Sequence, residues 1–235
     1  MKKTILFSIM SLLLATSALA IDNGGNSVFI DQTNADNSTV SITQLGYSNS
    51  VGDPNSITMP QFVIDGNSMN LTIDQEGMNN IITGNFIGGD STATITQIGN
   101  SNSTALNMGI FGSNGGQMAI SVSGNNNSTT FNMASSASVD NYNYNLTIVG
   151  NTNTVLSTMN SKYIQNTITL TGNGNTYTTV QSGANGTSTT PGHSITSSII
   201  GNGNSVSISQ ISTTTPNSIT LNVTGSGTST TILQH

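Results

Sequence analysis

One short signature, Gly-x-x-Asn, recurs along this chain of 235 residues and restricts the folds that are open to it. The shortest interval between successive Asn positions, as from Asn80 to Asn102, is 22 residues, and longer intervals carry insertions. A repeat of this length is typical of solenoids, in which each unit stacks on the next. The chain opens with a degenerate copy at Asn23/Asn26, and the last copy has Thr in place of Asn. The other copies are Gly46/Asn49, Gly77/Asn80, Gly99/Asn102, Gly124/Asn127, Gly150/Asn153, Gly172/Asn175, Gly201/Asn204 and Gly225/Thr228.

Apolar and polar residues alternate on both sides of each signature. Positions four and two before the Gly are mostly aliphatic or Gln, as at Ile95 and Gln97, and the residues between them are mostly Ser, Thr, Asp or Asn. A period of two is typical of a β-strand with one buried face. Each unit is therefore predicted to be a strand, a tight turn and a second strand, which bury their apolar face only when units stack. We predict an all-β fold, a flattened parallel β-solenoid with two strands per coil and about nine coils.

The spacing inside the signature never changes, whereas the spacing between signatures does. We therefore expect one corner of every coil to match its neighbours, with the Gly of each copy as a turn glycine at positive φ. The insertions are expected at the opposite corner, between the second strand of one unit and the first strand of the next. The longest insertion, around residues 53–67, carries Pro54 and Pro60, which cannot donate to a strand ladder.

Glutamines form two columns when the units are aligned on the signature. The first column, two residues before the Gly, contains Gln44, Gln75 and Gln97. The second column, six residues after the Asn, reads Gln32, Asn55, Phe86, Met108, Met133, Met159, Gln181, Gln210 and Gln234. An inward Gln is costly unless its amide is hydrogen-bonded, and stacked amides can bond one another. We predict that these Gln, together with the Asn of each signature, form side-chain ladders along the stack.

Composition argues against several classes of protein. Charged residues make up 5% of the chain and Lys plus Arg total 3, so phosphate contacts to nucleic acid are not expected. The chain has no cysteine, which excludes disulfides and thiolate metal sites. His193 lies in a Pro-Gly-His loop and His235 at the C-terminus, and both are expected to be solvated. We therefore expect neither an enzyme, nor a cofactor, nor a metal site.

The first twenty residues are typical of a secretory signal peptide. Lys2 and Lys3 precede an apolar run from Ile5 to Leu14, and Ala18-Leu19-Ala20 is typical of a cleavage site. We expect cleavage after Ala20, secretion to the extracellular space or cell surface, and a single repeat domain over residues 21–235. The processed chain would contain Lys162 as its only cation and a formal net charge of -8, because the full chain has -6 and loses two lysines. No later apolar stretch is long enough to span a membrane.

Residues 32–49 closely resemble a curlin repeat. The family pattern is Ser, five residues, Gln, one residue, Gly, two residues and Asn, with a second Gln six residues after the Asn. The positions that match this pattern are Ser38, Gln44, Gly46 and Asn49 in one copy, and Ser91, Gln97, Gly99 and Asn102 in another. The second Gln of the pattern matches Gln32, Gln181, Gln210 and Gln234. The full motif covers residues 26–106, and the Gly and Asn positions match along almost the whole of residues 21–235.

The resemblance implies a secreted bacterial subunit that assembles into curli-like amyloid fibres of the biofilm matrix. It also implies a nucleator subunit and an outer-membrane secretion pore as partners. The Gly-rich leader of the family is reduced here to residues 22–26, and Met replaces the second Gln in the middle units. Two other classes are compatible with the repeat: a non-polymerising β-solenoid, such as an adhesin or a phage-fibre-like module, and an ice-binding solenoid. The outward Thr row that ice binding needs is interrupted by Asp74 and Asn222.

Overall fold

The structure is a computed structural model that describes residues 18–21, 25–52, 62–108, 116–133, 143–187 and 192–235. Within these ranges the regular secondary structure consists of β-strands, numbered β1 to β20 in chain order, and contains no helix. The strands form two sheets, here called sheet A and sheet B. No described segment is a helix long and apolar enough to cross a membrane.

Sheet A contains the strands that precede the corner glycines. These are β1 (Ala18–Ile21), β4 (Thr39–Tyr47), β7 (Asn70–Met78), β9 (Thr92–Asn100), β11 (Gln117–Ser123), β13 (Asn143–Val149), β15 (Gln165–Thr171), β17 (Ser194–Ile200) and β19 (Ser218–Thr224).

Sheet B contains the strands that follow the signature Asn. These are β2 (Ser27–Val28), β3 (Ile30–Thr33), β5 (Ser50–Val51), β6 (Phe62–Asp65), β8 (Ile81–Ile87), β10 (Ser103–Met108), β12 (Ser128–Met133), β14 (Thr154–Asn160), β16 (Thr176–Gly183), β18 (Ser205–Ser212) and β20 (Ser229–Gln234).

All neighbouring strands are parallel, and each residue pairs with its equivalent one coil away. Gly46 pairs with Gly77, and Gly77 with Gly99, so that the corner glycines stack directly. The predicted parallel β-solenoid with two strands per coil is therefore confirmed. Seven coils, from β7/β8 to β19/β20, have one continuous strand in each sheet, and the two coils before them have their sheet B strand in two pieces.

The longest insertion does not lie where the sequence analysis placed it. Residues 53–61, which are outside the described residues, connect β5 to β6, and both of these strands pair with β8 in sheet B. The insertion therefore interrupts the second strand of a coil instead of joining two coils. As a result Ile64, and not Asn55, stands between Gln32 and Phe86 in the second Gln column.

The core is the narrow space between the inward faces of the two sheets. Along each strand buried and exposed residues alternate, as the period-two pattern predicts. Side chains from the two sheets contact one another in the middle of the stack. Phe131 packs on Tyr144 with ring centroids 4.3 Å apart, and the Tyr177 hydroxyl lies 2.9 Å from the Ser197 hydroxyl. Stacking thus buries the apolar face that a single unit leaves exposed.

The predicted signal peptide lies mostly outside the described residues, which omit residues 1–17 and 22–24. Its last residues are described only as a strand. β1 pairs with β4 in sheet A, with Ala18 opposite Ile42 and Ile21 opposite Leu45. Cleavage after Ala20 stays a prediction, and it would remove most of the strand that covers this edge of β4.

Candidate functional site

The corner glycines form a column in which the coils approach too closely for a side chain. Gly124 has a φ of 131°, a conformation that L-residues rarely adopt. A Cβ atom at this position would overlap the carbonyl oxygen of Gly150 in the next coil. The same relation holds at Gly46, Gly77, Gly99, Gly150, Gly172 and Gly201. Gly225 differs, because the nearest atom to its Cβ position is the Thr228 hydroxyl oxygen at 3.9 Å.

The signature Asn side chains form a continuous buried ladder, here called the inner ladder. The backbone N–H of Asn80 donates to the Asn49 side-chain oxygen at 3.0 Å, and the Asn80 side-chain amide donates to the same oxygen at 3.0 Å. That amide also donates to the Gly99 carbonyl of the next coil at 2.7 Å. Equivalent bonds link the remaining members, which are Asn102, Asn127, Asn153, Asn175 and Asn204. Each Asn therefore ties together three consecutive coils.

Three of the predicted Gln form a second buried ladder inside sheet A. The Gln44 amide donates to the Gln75 oxygen at 2.8 Å, and the Gln75 amide donates to the Gln97 oxygen at 2.9 Å. The run ends where the Gln97 amide donates to the Thr104 hydroxyl at 2.9 Å. Gln75 and Gln97 are fully buried, so these bonds satisfy amides that water cannot reach.

A third ladder follows the second Gln column at the other end of the stack. The Gln181 amide donates to the Gln210 oxygen at 2.9 Å, and the Gln210 amide donates to the Gln234 oxygen at 3.2 Å. Asn166 begins this run by donating to the Gln181 oxygen at 2.6 Å. Gln32 belongs to the same column, but its neighbour there is Ile64, so it stands apart from the ladder.

Sequence reasoning missed an exposed outer ladder of Asn that directly follow the corner glycines. The backbone N–H of Asn125 donates to the Asn151 side-chain oxygen at 2.8 Å, and the Asn151 N–H donates likewise to Asn173. Asn100 and Asn202 extend the series. Here the backbone N–H points to the later coil, whereas in the inner ladder it points to the earlier one. The available signal was the Gly-Asn pair that recurs at residues 99–100, 124–125, 150–151, 172–173 and 201–202.

The last coil continues the positions of the inner, outer and third ladders up to an open edge. Thr228 occupies the Asn position and its N–H donates to Asn204 at 2.9 Å, while Ser226 occupies the outer ladder position. In the described chain β19 and β20 pair with other strands on one side only. The backbone groups on their other side are therefore available to a further coil.

His193 is buried, so the expectation that it is solvated was wrong, whereas His235 is exposed as expected. The His193 Nδ1 accepts a hydrogen bond from the backbone N–H of Asn217 at 3.2 Å, so the ring proton lies on Nε2, which is 3.1 Å from the Ser182 carbonyl oxygen. Burial lowers the pKa of the imidazole, and hydrogen bonds to the backbone of Ser182 and Ser212 act in the opposite direction. The neutral ring thereby links neighbouring coils.

The described residues contain no group of three or more His, Cys, Asp or Glu that could hold a metal ion. Comparison with protein-family models finds no match, and comparison with curated proteins finds no matching relative. The candidate site consists of the stacked side-chain amides and the open strand edges of the last coil.

Proposed function

We propose that this protein is a secreted structural subunit that assembles end to end into extracellular, curli-like amyloid fibres for biofilm matrix and adhesion. The observation that carries the proposal is the last coil. Both sheets and the positions of the inner and third ladders reach this coil, where β19 and β20 still present unpaired backbone groups in the described chain. Open parallel edges of this kind accept another strand.

The first and last coils have complementary donors and acceptors. Aligning Asn26 on Thr228 places Ile30 on Ile232 and Gln32 on Gln234. All of these residues are half-buried. In the third ladder each amide donates toward the later coil, so Gln234 would donate to Gln32 of the next copy. Such a contact is heterologous and does not close, which gives a filament.

The partners follow from the curlin resemblance and belong to the same proposal. A nucleator subunit would present a first edge of matching register, and an outer-membrane pore would release the unfolded chain before it stacks. Secretion rests on the signal peptide predicted for residues 1–20.

One observation favours the second candidate, a non-polymerising β-solenoid adhesin. β1 covers the first edge of sheet A by pairing with β4. If Ala18–Ile21 remain in place, that edge is unavailable to another copy, and the protein would act as a capped surface scaffold.

The proposal is tested by seeded growth of variants that carry a charge either in the end-to-end contact or beside it. Gln234→Glu puts a carboxylate into the half-buried ladder position, whereas Leu233→Glu puts the same charge on the adjacent side chain, which is 62% exposed. Burying an unpaired charge is costly, so we expect Gln234→Glu to slow seeded elongation at least about tenfold and Leu233→Glu to elongate like the wild type. Thioflavin fluorescence and electron microscopy follow growth. Wild-type protein that stays monomeric at high concentration with its own seeds contradicts the proposal and supports the adhesin.

A further inference from the structure

One outward column of sheet A alternates between bulky aliphatic and polar residues on successive coils. It consists of the residue immediately before each corner glycine and is here called the alternating column. In stacking order it reads Leu45, Glu76, Ile98, Ser123, Val149, Thr171, Ile200 and Thr224, and each residue pairs with the next across the sheet. The alternation is strict over all eight strands from β4 to β19.

The four aliphatic side chains of the column are exposed to solvent. Their exposed fractions are 37% at Leu45, 43% at Ile98, 47% at Val149 and 49% at Ile200. Inward aliphatics on the same strands, such as Ile95 and Ile148, are fully buried. The column is therefore an exposed apolar feature on the side of the stack, away from its ends.

The spacing of this column restricts what can cover it. Coils in a parallel sheet lie about 4.8 Å apart, so the aliphatic side chains protrude about every 9.6 Å, with a shorter or polar side chain between them. Close packing requires a surface that protrudes with the same period and fills the intervening gaps, as in dry interfaces between paired sheets. A second copy of this chain has the same period, because it carries the same column on coils of the same spacing.

We propose that the alternating column is a lateral self-association surface that packs against the same column of a second, antiparallel copy. Reversing the column of eight places an aliphatic residue opposite a polar one at every coil. Ile98 then faces Thr171 of the second copy, and Val149 faces Ser123. Ile98, Val149 and Ile200 each also lie beside two aliphatic residues of the other copy, on the coils above and below, and Leu45 at the end of the column lies beside one. The arrangement is two-fold symmetric, the commonest symmetry of protein pairs.

The charges of the chain oppose this contact in a predictable way. Glu76 is the only charged member of the column. Asp74 lies two residues before it on the same outward face of β7. The full chain carries a formal net charge of -6. Like charges on two copies repel each other, and salt screens exposed charges over about 8–10 Å. Lateral association is therefore expected to strengthen as salt is raised from low to physiological concentration.

A pair of matched double variants tests the surface in the full chain. Ile98→Thr with Val149→Thr replaces the two central aliphatics by a residue type that the column already contains. The control, Leu156→Thr with Ile211→Thr, changes two comparably exposed aliphatics on sheet B. Sedimentation equilibrium measures lateral pairing, and electron microscopy counts filaments side by side if fibres form. We expect the column variant to weaken pairing at least about tenfold and the control to leave it unchanged.

The proposal is overturned if the column variant pairs like the wild type, or if the control variant loses as much pairing affinity as the column variant. It is also overturned if the wild-type protein forms neither pairs nor bundled filaments at physiological salt. Seeded elongation is followed in the same samples, so loss of lateral pairing is distinguishable from failure of end-to-end growth.

Filling a gap in the column separates interdigitation from nonspecific hydrophobic contact. Ser123→Val adds an aliphatic residue on the coil between Ile98 and Val149. If two columns interdigitate, this side chain meets Val149 of the second copy and pairing weakens despite the added apolar surface. Stronger pairing of the Ser123→Val variant would refute the interdigitated contact.

Single engineered cysteines test the antiparallel direction, because the chain has none of its own. We mix Ile98→Cys protein with Thr171→Cys protein and, separately, with Ser123→Cys protein. The antiparallel arrangement brings position 98 of one copy to position 171 of the other, so the first mixture should form the mixed disulfide preferentially on mild oxidation. Preferential formation in the second mixture would indicate parallel copies shifted by one coil and would refute the two-fold arrangement.

Discussion

At the corner of each coil from Gly46 to Gly201, one atom of the next coil excludes every residue except glycine. The positive φ alone disfavours a side chain, and the next coil removes the remaining space, because its glycine carbonyl occupies the Cβ position. The glycine is thus required by the stack as much as by the turn.

Two glycines separate these effects. Gly124→Ala combines a φ of 131° with overlap on Gly150, whereas Gly225→Ala has a similar φ of 136° and only the Thr228 hydroxyl oxygen nearby, at 3.9 Å. We expect Gly225→Ala to cost about 1–2 kcal/mol and Gly124→Ala about 3 kcal/mol or more, measured by chemical unfolding. Equal losses would mean that the turn alone, and not stacking, selects glycine.

The inner and outer Asn ladders make similar hydrogen bonds in different surroundings. Asn127 is buried, and its oxygen accepts both the N–H and the side-chain amide of Asn153 at 2.9 and 3.1 Å. Asn125 is partly exposed, so water can replace the bonds that it makes to its neighbours.

We therefore expect Asn127→Ala to destabilise the protein by about 2–4 kcal/mol and Asn125→Ala by about 1 kcal/mol or less. Unfolding by guanidinium measures both losses. If Asn125→Ala costs as much as Asn127→Ala, burial is not what gives the inner ladder its strength.

The buried imidazole of His193 makes stability depend on pH. Its folded pKa is lowered below the usual value of about 6.5, so below that pH the unfolded chain binds more protons than the folded one. The stabilisation that His193 provides is then complete above about pH 6.5 and decreases as the pH falls toward the folded pKa.

The variant His193→Gln isolates this effect, since all other titrating groups are shared. We expect the free energy of unfolding of the wild type to exceed that of His193→Gln at pH 7.5 and the difference to shrink below pH 6.5. A difference that stays constant from pH 7.5 to pH 5 would contradict the buried neutral ring.

At the scale of the strand, the Gln ladders illustrate why buried polar networks are either complete or absent. Gln75 is bonded on both sides, to Gln44 and to Gln97. Removing it alone leaves the Gln97 oxygen without its donor inside the core, where an unpaired group costs about 1–3 kcal/mol. The Gln44 amide also loses an acceptor and keeps only the Ser27 carbonyl at 3.2 Å.

Replacing the whole ladder is expected to cost less per residue than replacing its middle member. We expect Gln75→Met to lose about 2–4 kcal/mol and the triple variant Gln44→Met, Gln75→Met and Gln97→Met to lose no more than the single one. Chemical unfolding measures both. A triple loss near three times the single loss would show that the Gln act independently.

The period-two alternation and the constant Gly-x-x-Asn spacing were enough to predict the solenoid, its two strands per coil and the stacked positions. The break in the second strand was not predictable, because the sixth residue after Asn49 falls within residues 53–61, which separate β5 from β6 and lie outside the described residues. The count therefore reached Asn55, whereas Ile64 occupies the position.

The remaining misses depend on contacts between coils. Asn100 and its equivalents read as ordinary turn residues, because a single coil gives their side chains no partner. The burial of His193 depends on Ser182 and Asn217, which belong to neighbouring coils and are 11 and 24 residues away in sequence. Asn166 differs, because its partner Gln181 lies across the same coil, on the facing strand of sheet B, and the sequence shows only a polar residue in an apolar row.

At the scale of the molecule, the chain is a folded stack of coils, and the proposed fibre requires that the two ends of this stack match. Sheet B contains nine stacked strand positions, two of them filled by strand pairs, and sheet A contains eight strands, β4 to β19, once the predicted cleavage removes most of β1. A fibre that grows by adding whole stacks therefore repeats once per nine coils and not once per coil.

The subunit repeat along the fibre, measured by electron cryomicroscopy, tests this claim most directly. At about 4.8 Å per coil, nine coils give a repeat of about 43 Å superimposed on the strand spacing. We expect both spacings, with strands perpendicular to the fibre axis. A fibre in which each chain contributes one flat layer, with a repeat of about 4.8 Å and no longer subunit period, would contradict the claim.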